Sequence, residues 1–435
     1  MLSSNKLLPL PFLLWLCGCI LLHAACNSAT NAGKKNDSDS LRIIDLPKLV
    51  SVSAAEVSRI QHSCRLWYDT VLSQKGFNGG MIVAKDGNII YEKYTGTAHL
   101  PGSDSITANT PMHIASISKT FTAMAVLKLQ QEGKLNIDDE FSKYFPEFNY
   151  PGITIRCLLS HRSGLPNYNY FMETLGWDKS KFVTNADVLN YLITRKTDLP
   201  DIAPPGIHFS YCNTNYALLA LLIEKVTGVT YTTYLNRSFF IPLQMKHTYV
   251  FSLADTLKAV PSYNWKGTME AFNFLDQVYG DKNIYTTPRD LLTWDRALSS
   301  NLIFTPETLD AAYAPYSNEK PGMRNYGLGW RMNIFPDGNK IIYHNGWWHG
   351  SNAAFIRLLK EKATIILIGN KFNRSVYHAK VLTSIFGNYY FPGDEEENVN
   401  QKDSLKFERP VLKADSLLIQ NSKTAKRSSK NKKGR

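Results

Sequence analysis

Cysteine is scarce in this sequence, with six in 435 residues. Cys17, Cys19 and Cys26 fall near the start, which leaves Cys64, Cys157 and Cys212 for the body of the chain, an odd number that offers no disulfide framework. Neither a CxxC pair nor an HExxH run occurs, so the chemistry to expect uses no metal and no cofactor. The longest apolar run, Leu7 to Leu22, has roughly 16 residues against the ~20 that a membrane-spanning helix needs. No repeat of about 20 to 50 residues is visible, which excludes solenoid and propeller architectures. Acidic residues are missing from Lys423 to Arg435, where seven Lys or Arg supply most of the net charge of +12. Charge gathered in one tail is a solvated end in reach of anionic envelope polymers or lipid headgroups, and no nucleic-acid partner is expected from it.

What is present is an ordinary globular composition, 44% hydrophobic and 20% charged. Lys6 followed by the apolar run and "HAAC" reads as a leader over residues 1–25. The expected location is therefore outside the cytoplasm, in the cell envelope. Lipid modification of Cys26 would anchor the chain to the membrane; Cys19 competes for that role, and an uncleaved signal anchor is the alternative. Small polar residues make 26–50 a flexible tether, 51–392 the folded domain, and 393–435 a polar, basic tail without fixed structure.

Within the domain, a helix is expected over Ala54 to Lys75, then a hairpin turning at Asp86-Gly87. The stretch from Ser116 to Ala312 reads mostly as helices joined by Pro- and Gly-marked turns. Lys340 to Lys371 gives three β-rich runs, and Arg374 to Tyr390 a closing helix. Strands from both chain ends thus meet in one antiparallel sheet flanked by helices, with a mostly helical second lobe, an α+β layout.

Three short motifs carry candidate chemistry. Ser116 and Lys119 stand three apart at the head of an apolar helical run, so the lysine can reach the hydroxyl, and burial together with the helix's positive end disfavours its charge. SxxK also occurs at Ser3, Ser317 and Ser429, and Ser116 could equally be a helix cap with Lys119 in solvent. "YCN", Tyr211 to Asn213, sits after Pro204-Pro205-Gly206 and before a second apolar helix; a tyrosine there can move protons to and from a nucleophile, or simply pack. His344-Asn345-Gly346 is the sequence's one HxG, on a strand whose open edge can offer backbone groups to an acyl substrate.

In this order, "SISK", "YCN" and "HNG" resemble the SxxK, YxN and [HK]xG set of serine hydrolases related to class C β-lactamases, penicillin-binding DD-peptidases, D-aminopeptidases and family VIII esterases. "LLSHRSGLPNY" from Leu158, "YALLALLIEKVTG" from Tyr216, "TTPRDLLTW" from Thr286 and "YGLGW" from Tyr326 extend the resemblance from Val57 to Tyr390. It implies a β-lactamase/transpeptidase-like fold, with Ser116 acylated, Lys119 its base and Tyr211 sharing proton transfer. Asn213 would orient Lys119 and the substrate amide, and His344 would sit across the cleft on an edge strand. The backbone N–H groups of Ser116 and Trp347 would form the oxyanion hole, and His161 is assigned to structure.

Departures limit the reading. KTG is absent and His344 stands where β-lactamases place a lysine; an ordinary histidine is mostly neutral at pH 7 and anchors an anion weakly. Asn345 replaces a small hydroxyl residue, and Cys212 lies inside the YxN. Trp347 and Trp348 either stack on substrate or pack against the lobe. The expected partner is a small-molecule or peptide substrate: an amide or ester, with a D-amino acid peptide of peptidoglycan type as first choice. A carboxylesterase or β-lactamase of the same fold, a non-catalytic penicillin-binding-like protein, and a scaffold working through its basic tail are the competing readings.

Overall fold

Asp86 and Gly87 have φ of 51° and 75°, the left-handed pair that a two-residue hairpin turn requires, and they join β1 (Gly79–Lys85) to β2 (Asn88–Thr95). The computed structural model describes residues 42–389 and Phe391. The leader and the basic tail lie outside the described residues. Ahead of the hairpin, Ser53 caps α1 (Ala54–Trp67) by accepting from Glu56 N–H, and two further turns carry the helical path to Lys75.

The middle of the chain supplies α2 (Ser118–Gln131), α3 (Ile155–Leu159), α4 (Tyr168–Thr174), α5 (Asn185–Thr194), α6 (Asn213–Thr227), α7 (Tyr231–Leu235), α8 (Pro288–Leu298) and α9 (Pro306–Ala312). Among them run short strands: β3 (Met112–His113), β4 (Tyr249–Val250), β5 (Ser262–Tyr263), β6 (Met269–Glu270) and β7 (Ile284–Thr286). The C-terminal part adds β8 (Arg324–Tyr326), β9 (Arg331–Ile334), β10 (Lys340–Trp348), β11 (Ser351–Leu358) and β12 (Ala363–Gly369).

Seven strands form the main sheet in the order β2-β1-β12-β11-β10-β9-β8, antiparallel throughout. The ends of the domain meet where Gly79 of β1 faces Gly369 of β12. One face, with Met81, Val83, Tyr343 and Leu367, packs on Ile60 and Trp67 of α1 and on Val376 and Leu382. The other, with Ile82, Ile342, Phe355 and Ile368, is continuous with the core of the helical lobe. β11 and β12 are buried at every position because both faces are covered, which is why they read as unbroken apolar runs.

Two expectations need correction. Arg374–Ile385 is a 3₁₀ helix of 12 residues where a regular helix to Tyr390 was expected. Its buried Val376, Ala379 and Leu382 recur every third position, and three residues per turn puts them on one face toward the sheet. The tether was expected to end at 50, yet residues 42–50 are pinned: Ile44 N–H donates to Pro242 O, Arg296 Nη2 to Pro47 O, and Asn88 Nδ2 to Val50 O. The middle of the chain is mostly helical, as expected, and its helices are joined by two small sheets, β3-β7-β4 and β5-β6, built from strands of two or three residues.

Candidate active site

Ala115 holds a φ of 46°, a conformation rare outside glycine, and turns the chain from β3 into the short 3₁₀ segment Ala115–Ile117 that carries Ser116. α2 begins just after, with Ile117 at its cap position and no side-chain capping bond. Ser116 is therefore not a cap. Its Oγ lies 3.1 Å from Lys119 Nζ, and Lys119 is 0% exposed, so the alternative of a lysine reaching solvent is excluded. α2 is the core helix of its lobe, and a side chain in its first turn has nowhere else to go. Lys119 Nζ also donates to the carbonyl of Asp281 at 2.8 Å and lies 5.0 Å and 5.6 Å from the ring centroids of Tyr211 and Tyr216.

Tyr211 is held by a residue that the sequence reading left to structure. The carbonyl of His161 accepts from Ser210 N–H at 2.8 Å, and its Nδ1 accepts from Cys212 N–H at 3.1 Å, so His161 grips the chain on both sides of Tyr211. The two rings are 4.3 Å apart. A ring nitrogen that accepts from a backbone N–H carries no proton, which assigns the proton to Nε2. Burial holds the His161 pKa well below the ordinary histidine value. A neutral imidazole therefore supports Tyr211 throughout the physiological range.

Asn213 opens α6 with its Nδ2 on Asn169 Oδ1 at 3.3 Å, and its buried Oδ1 has no hydrogen-bond partner among the described residues. The group that fixes Lys119, besides Ser116, is the Asp281 carbonyl. A backbone acceptor 162 residues away leaves no mark in the sequence.

β10 is third from the sheet edge, not at it, but its pairing with the four-residue β9 stops at Tyr343. From His344 onward β10 runs past the end of β9. His344, Gly346 and Trp348 share one face by strand alternation, Asn345 and Trp347 the other. The His344 ring is fully buried; Nδ1 lies 2.7 Å from Asn345 O and Nε2 3.4 Å from the Tyr326 hydroxyl. At Gly346 the nucleophile turn comes so close that a Cβ would stand 2.1 Å from Ile114 O. The Trp347 indole packs on Phe372 across the sheet, with Nε1–H donated to His349 O at 2.9 Å.

The beta-lactamase family model matches residues 67–386, most of the described chain, over all of these groups. The chain belongs to the beta-lactamase family. Penicillin-binding protein 4* of Bacillus subtilis is 29% identical over 344 residues, 74% of this chain and 75% of that protein. Among solved structures, a penicillin-binding protein from Bacillus halodurans shares the fold with a TM-score of 0.65 at 23% identity, covering 73% of this chain and 98% of that one. The D-amino acid amidase of Ochrobactrum anthropi SV3, solved with L-phenylalanine amide, gives 0.61 at 22% identity, covering 77% and 97%. The protein is a beta-lactamase-like hydrolase related to penicillin-binding proteins, and it shares its fold with a D-amino acid amidase.

Around this beta-lactamase-family centre runs a buried polar chain that no motif announced. The Asp281 carboxylate accepts from the Tyr168 hydroxyl at 2.9 Å and lies 3.6 Å from Lys282 Nζ, which itself contacts Tyr168. Lys282 sits 4.7 Å from the Trp348 ring centroid, and Trp348 Nε1–H donates to Asp276 at 2.5 Å. Trp348 is thus the tryptophan that faces the lobe. Burial lowers the pKa of Lys282, partly offset by the carboxylates of Asp281 and Asp276.

Proposed function

We propose that the protein is an exported serine hydrolase that cleaves a small amide or ester through an acyl-enzyme. The observation that carries this reading is the 3.1 Å contact between Ser116 Oγ and the amine of a fully buried Lys119. Lys119 takes the hydroxyl proton as Oγ attacks the carbonyl carbon. The N–H groups of Ser116 and Trp347 receive the oxyanion, a role in which one donor supplies about 3–4 kcal/mol of transition-state stabilisation. Tyr211 passes a proton to the leaving amine or alcohol, and water then attacks the ester, its proton returning along the same groups. The free Oδ1 of Asn213 is an acceptor for a substrate N–H.

A D-amino acid peptide of peptidoglycan type is the favoured substrate, in keeping with the amidase and penicillin-binding neighbours. A carboxylesterase is the second reading, since the same acylation serves either bond. A dedicated β-lactamase is disfavoured, because a buried imidazole set against Tyr326 stands where those enzymes place the lysine of KTG. A non-catalytic binding protein would have no use for the Ser116–Lys119 contact. The reading puts this activity at the envelope, on a lipid or signal anchor, with the leader-like start of the sequence and Cys26 as its support; among the described residues no helix is long and apolar enough to cross a membrane.

Intact mass after a fluorophosphonate or penicillin tests the assignment. Wild type gains one adduct, Ser116→Ala none, and Lys119→Met labels slower by ~10² or more. Equal labelling of Ser116→Ala would remove Ser116 from the mechanism.

A further inference from the structure

The segment that brings Tyr211 to the site has no anchor in the core. No residue from Asp201 to Ser210 is buried, and Gly206 turns the chain at a φ of 80°. A stretch without a buried side chain keeps its place through bonds to its backbone. Two side chains to which the sequence reading gave no role supply them. Arg162, next to His161, donates Nε at 3.0 Å and Nη2 at 2.9 Å to Gly206 O and Nη2 at 2.6 Å to Ile207 O, while Gly206 N–H donates back to Arg162 O at 2.8 Å. Its Nη1 donates to Glu319 Oε2 at 2.9 Å, and Glu319 Oε1 accepts from Phe209 N–H.

Glu319 lies inside the SxxK match at Ser317. That stretch is itself fastened to β8: Ser317 N–H donates to Asn325 Oδ1 at 2.8 Å and Tyr316 N–H to Tyr326 O at 3.0 Å, and the Tyr326 ring stands 5.3 Å from Phe209 and 6.4 Å from Tyr211. The ion pair thus ties together the three segments that meet at Tyr211. The side chains of Arg162 and Glu319 are only 14% and 21% exposed. Burial alone would raise the Glu319 pKa, but the bonds from Arg162 and Phe209 N–H bring it down to about 2, so the pair stays charged near neutral pH.

We infer that Arg162 and Glu319 form a clip that positions the Tyr211 hydroxyl for proton transfer to the leaving group. The inference rests on the proposed function, which gives Tyr211 that role. As the tetrahedral intermediate breaks its bond to the leaving group, the electron pair goes to the leaving oxygen or nitrogen, which takes the Tyr211 proton. Lys119, whose Nζ is 5.0 Å from the Tyr211 ring centroid, returns to Tyr211 the proton it drew from Ser116. A leaving group that is stable as an anion needs no such proton. Loosening the clip therefore slows poor leaving groups and spares good ones.

Ethyl butyrate and p-nitrophenyl butyrate share an acyl group and differ in the leaving group, and kcat/KM on each reports acylation. Glu319→Ala and Arg162→Lys are expected to lower kcat/KM ~30-fold or more on the ethyl ester and less than ~3-fold on the p-nitrophenyl ester. Because the clip acts through Tyr211, adding Glu319→Ala to Tyr211→Phe is expected to cost less than ~2-fold more on either ester. Amide exchange over Gly206 to Cys212, read by mass spectrometry, is expected to quicken ~10-fold in Glu319→Ala. Glu319→Ala, in an exposed stretch, decides the matter if Arg162→Lys fails to fold. Equal loss on both esters, no loss on either, or an undiminished further loss in Tyr211→Phe would overturn the inference, and a leaving-group-selective Tyr211→Phe would then leave the hydrolase reading intact. If wild type turns over neither ester, the hydrolase reading falls and amide exchange judges the clip by itself: faster exchange in Glu319→Ala upholds it as the device that fixes Tyr211, and unchanged exchange removes it.

Discussion

Replacing Gly346 with alanine puts a methyl carbon 2.1 Å from the carbonyl oxygen of Ile114, 3.0 Å from its carbonyl carbon and 3.4 Å from Ala115 Cβ. Such contacts do not occur below about 3 Å, so β10 or the Ile114–Ala115 backbone must retreat by roughly 1 Å. Neither can move freely. Tyr377 Oη–H donates to Gly346 O at 2.9 Å, Ile114 N–H donates to Ile284 O at 3.0 Å, and Ala115 already sits at a φ of 46°. The displaced atoms include the backbone next to Ser116, and a misplacement of about 1 Å at reacting groups costs on the order of 10²-fold in rate. Overpacking of this kind costs ~1–3 kcal/mol in stability. The expected result for Gly346→Ala is a folded protein whose melting temperature falls by a few degrees and whose kcat/KM on a p-nitrophenyl ester falls ~100-fold. Gly338→Ala is the control: its φ of 81° strains alanine, yet nothing lies within 4 Å, so stability drops by roughly 1 kcal/mol without loss of rate. Gly346→Ala with kcat/KM within about threefold of wild type would refute the close approach of strand and nucleophile turn as a requirement of the site.

Acid should destabilise the fold earlier than carboxylate protonation alone would. Burial depresses His113 to about 3 and His161 well below its ordinary value, so below pH ~6.5 the unfolded chain takes up protons that the folded chain refuses. Stability is complete above 6.5 and is lost as pH falls toward 3, at up to about 1.4 kcal/mol per pH unit for each histidine; urea midpoints from pH 7 to 5 should show a shallower slope in His113→Asn. Arg357, 1% exposed, bonds Asp295 and Ser299 and contacts Tyr313, while Asp295 also accepts from Thr364 at 2.6 Å. Arg357→Leu leaves a buried carboxylate without its cation and is expected to cost ~3–5 kcal/mol by chemical denaturation, with Arg357→Leu/Asp295→Asn recovering part of the loss.

The main sheet was legible because its strands announce themselves by composition and by the Asp86-Gly87 turn. β8 and β9 were not, since three and four residues are too few for a period to emerge. Helical spacing made Ser116 and Lys119 a candidate pair and the place before an apolar helix made Tyr211 a candidate, but only the order of the three motifs set them above the other SxxK and YxN matches. What the sequence hid is what acts through the backbone or across long separations. The Asp281 carbonyl has no residue type to mark it, and His161 does its work with a main-chain oxygen and with a ring nitrogen taken by Cys212 N–H. The 3₁₀ helix was misread because Val376, Ala379, Leu382 and Ile385 also fit one side of a regular helix over so short a span.

The pairing of Gly79 with Gly369 has a consequence for how this chain comes into being. About 290 residues separate the two strands, so at synthesis rates of ~5–20 residues per second the first hairpin waits roughly 15 to 60 s for the strand that completes it. During that interval β1 has one unpaired edge, and Met81 and Val83, fully buried later, have no sheet partner to cover them. A fold closed by its two ends is slow to nucleate and exposed to association while it waits, and any chain interrupted before Ala363 keeps a hairpin that can never be enclosed.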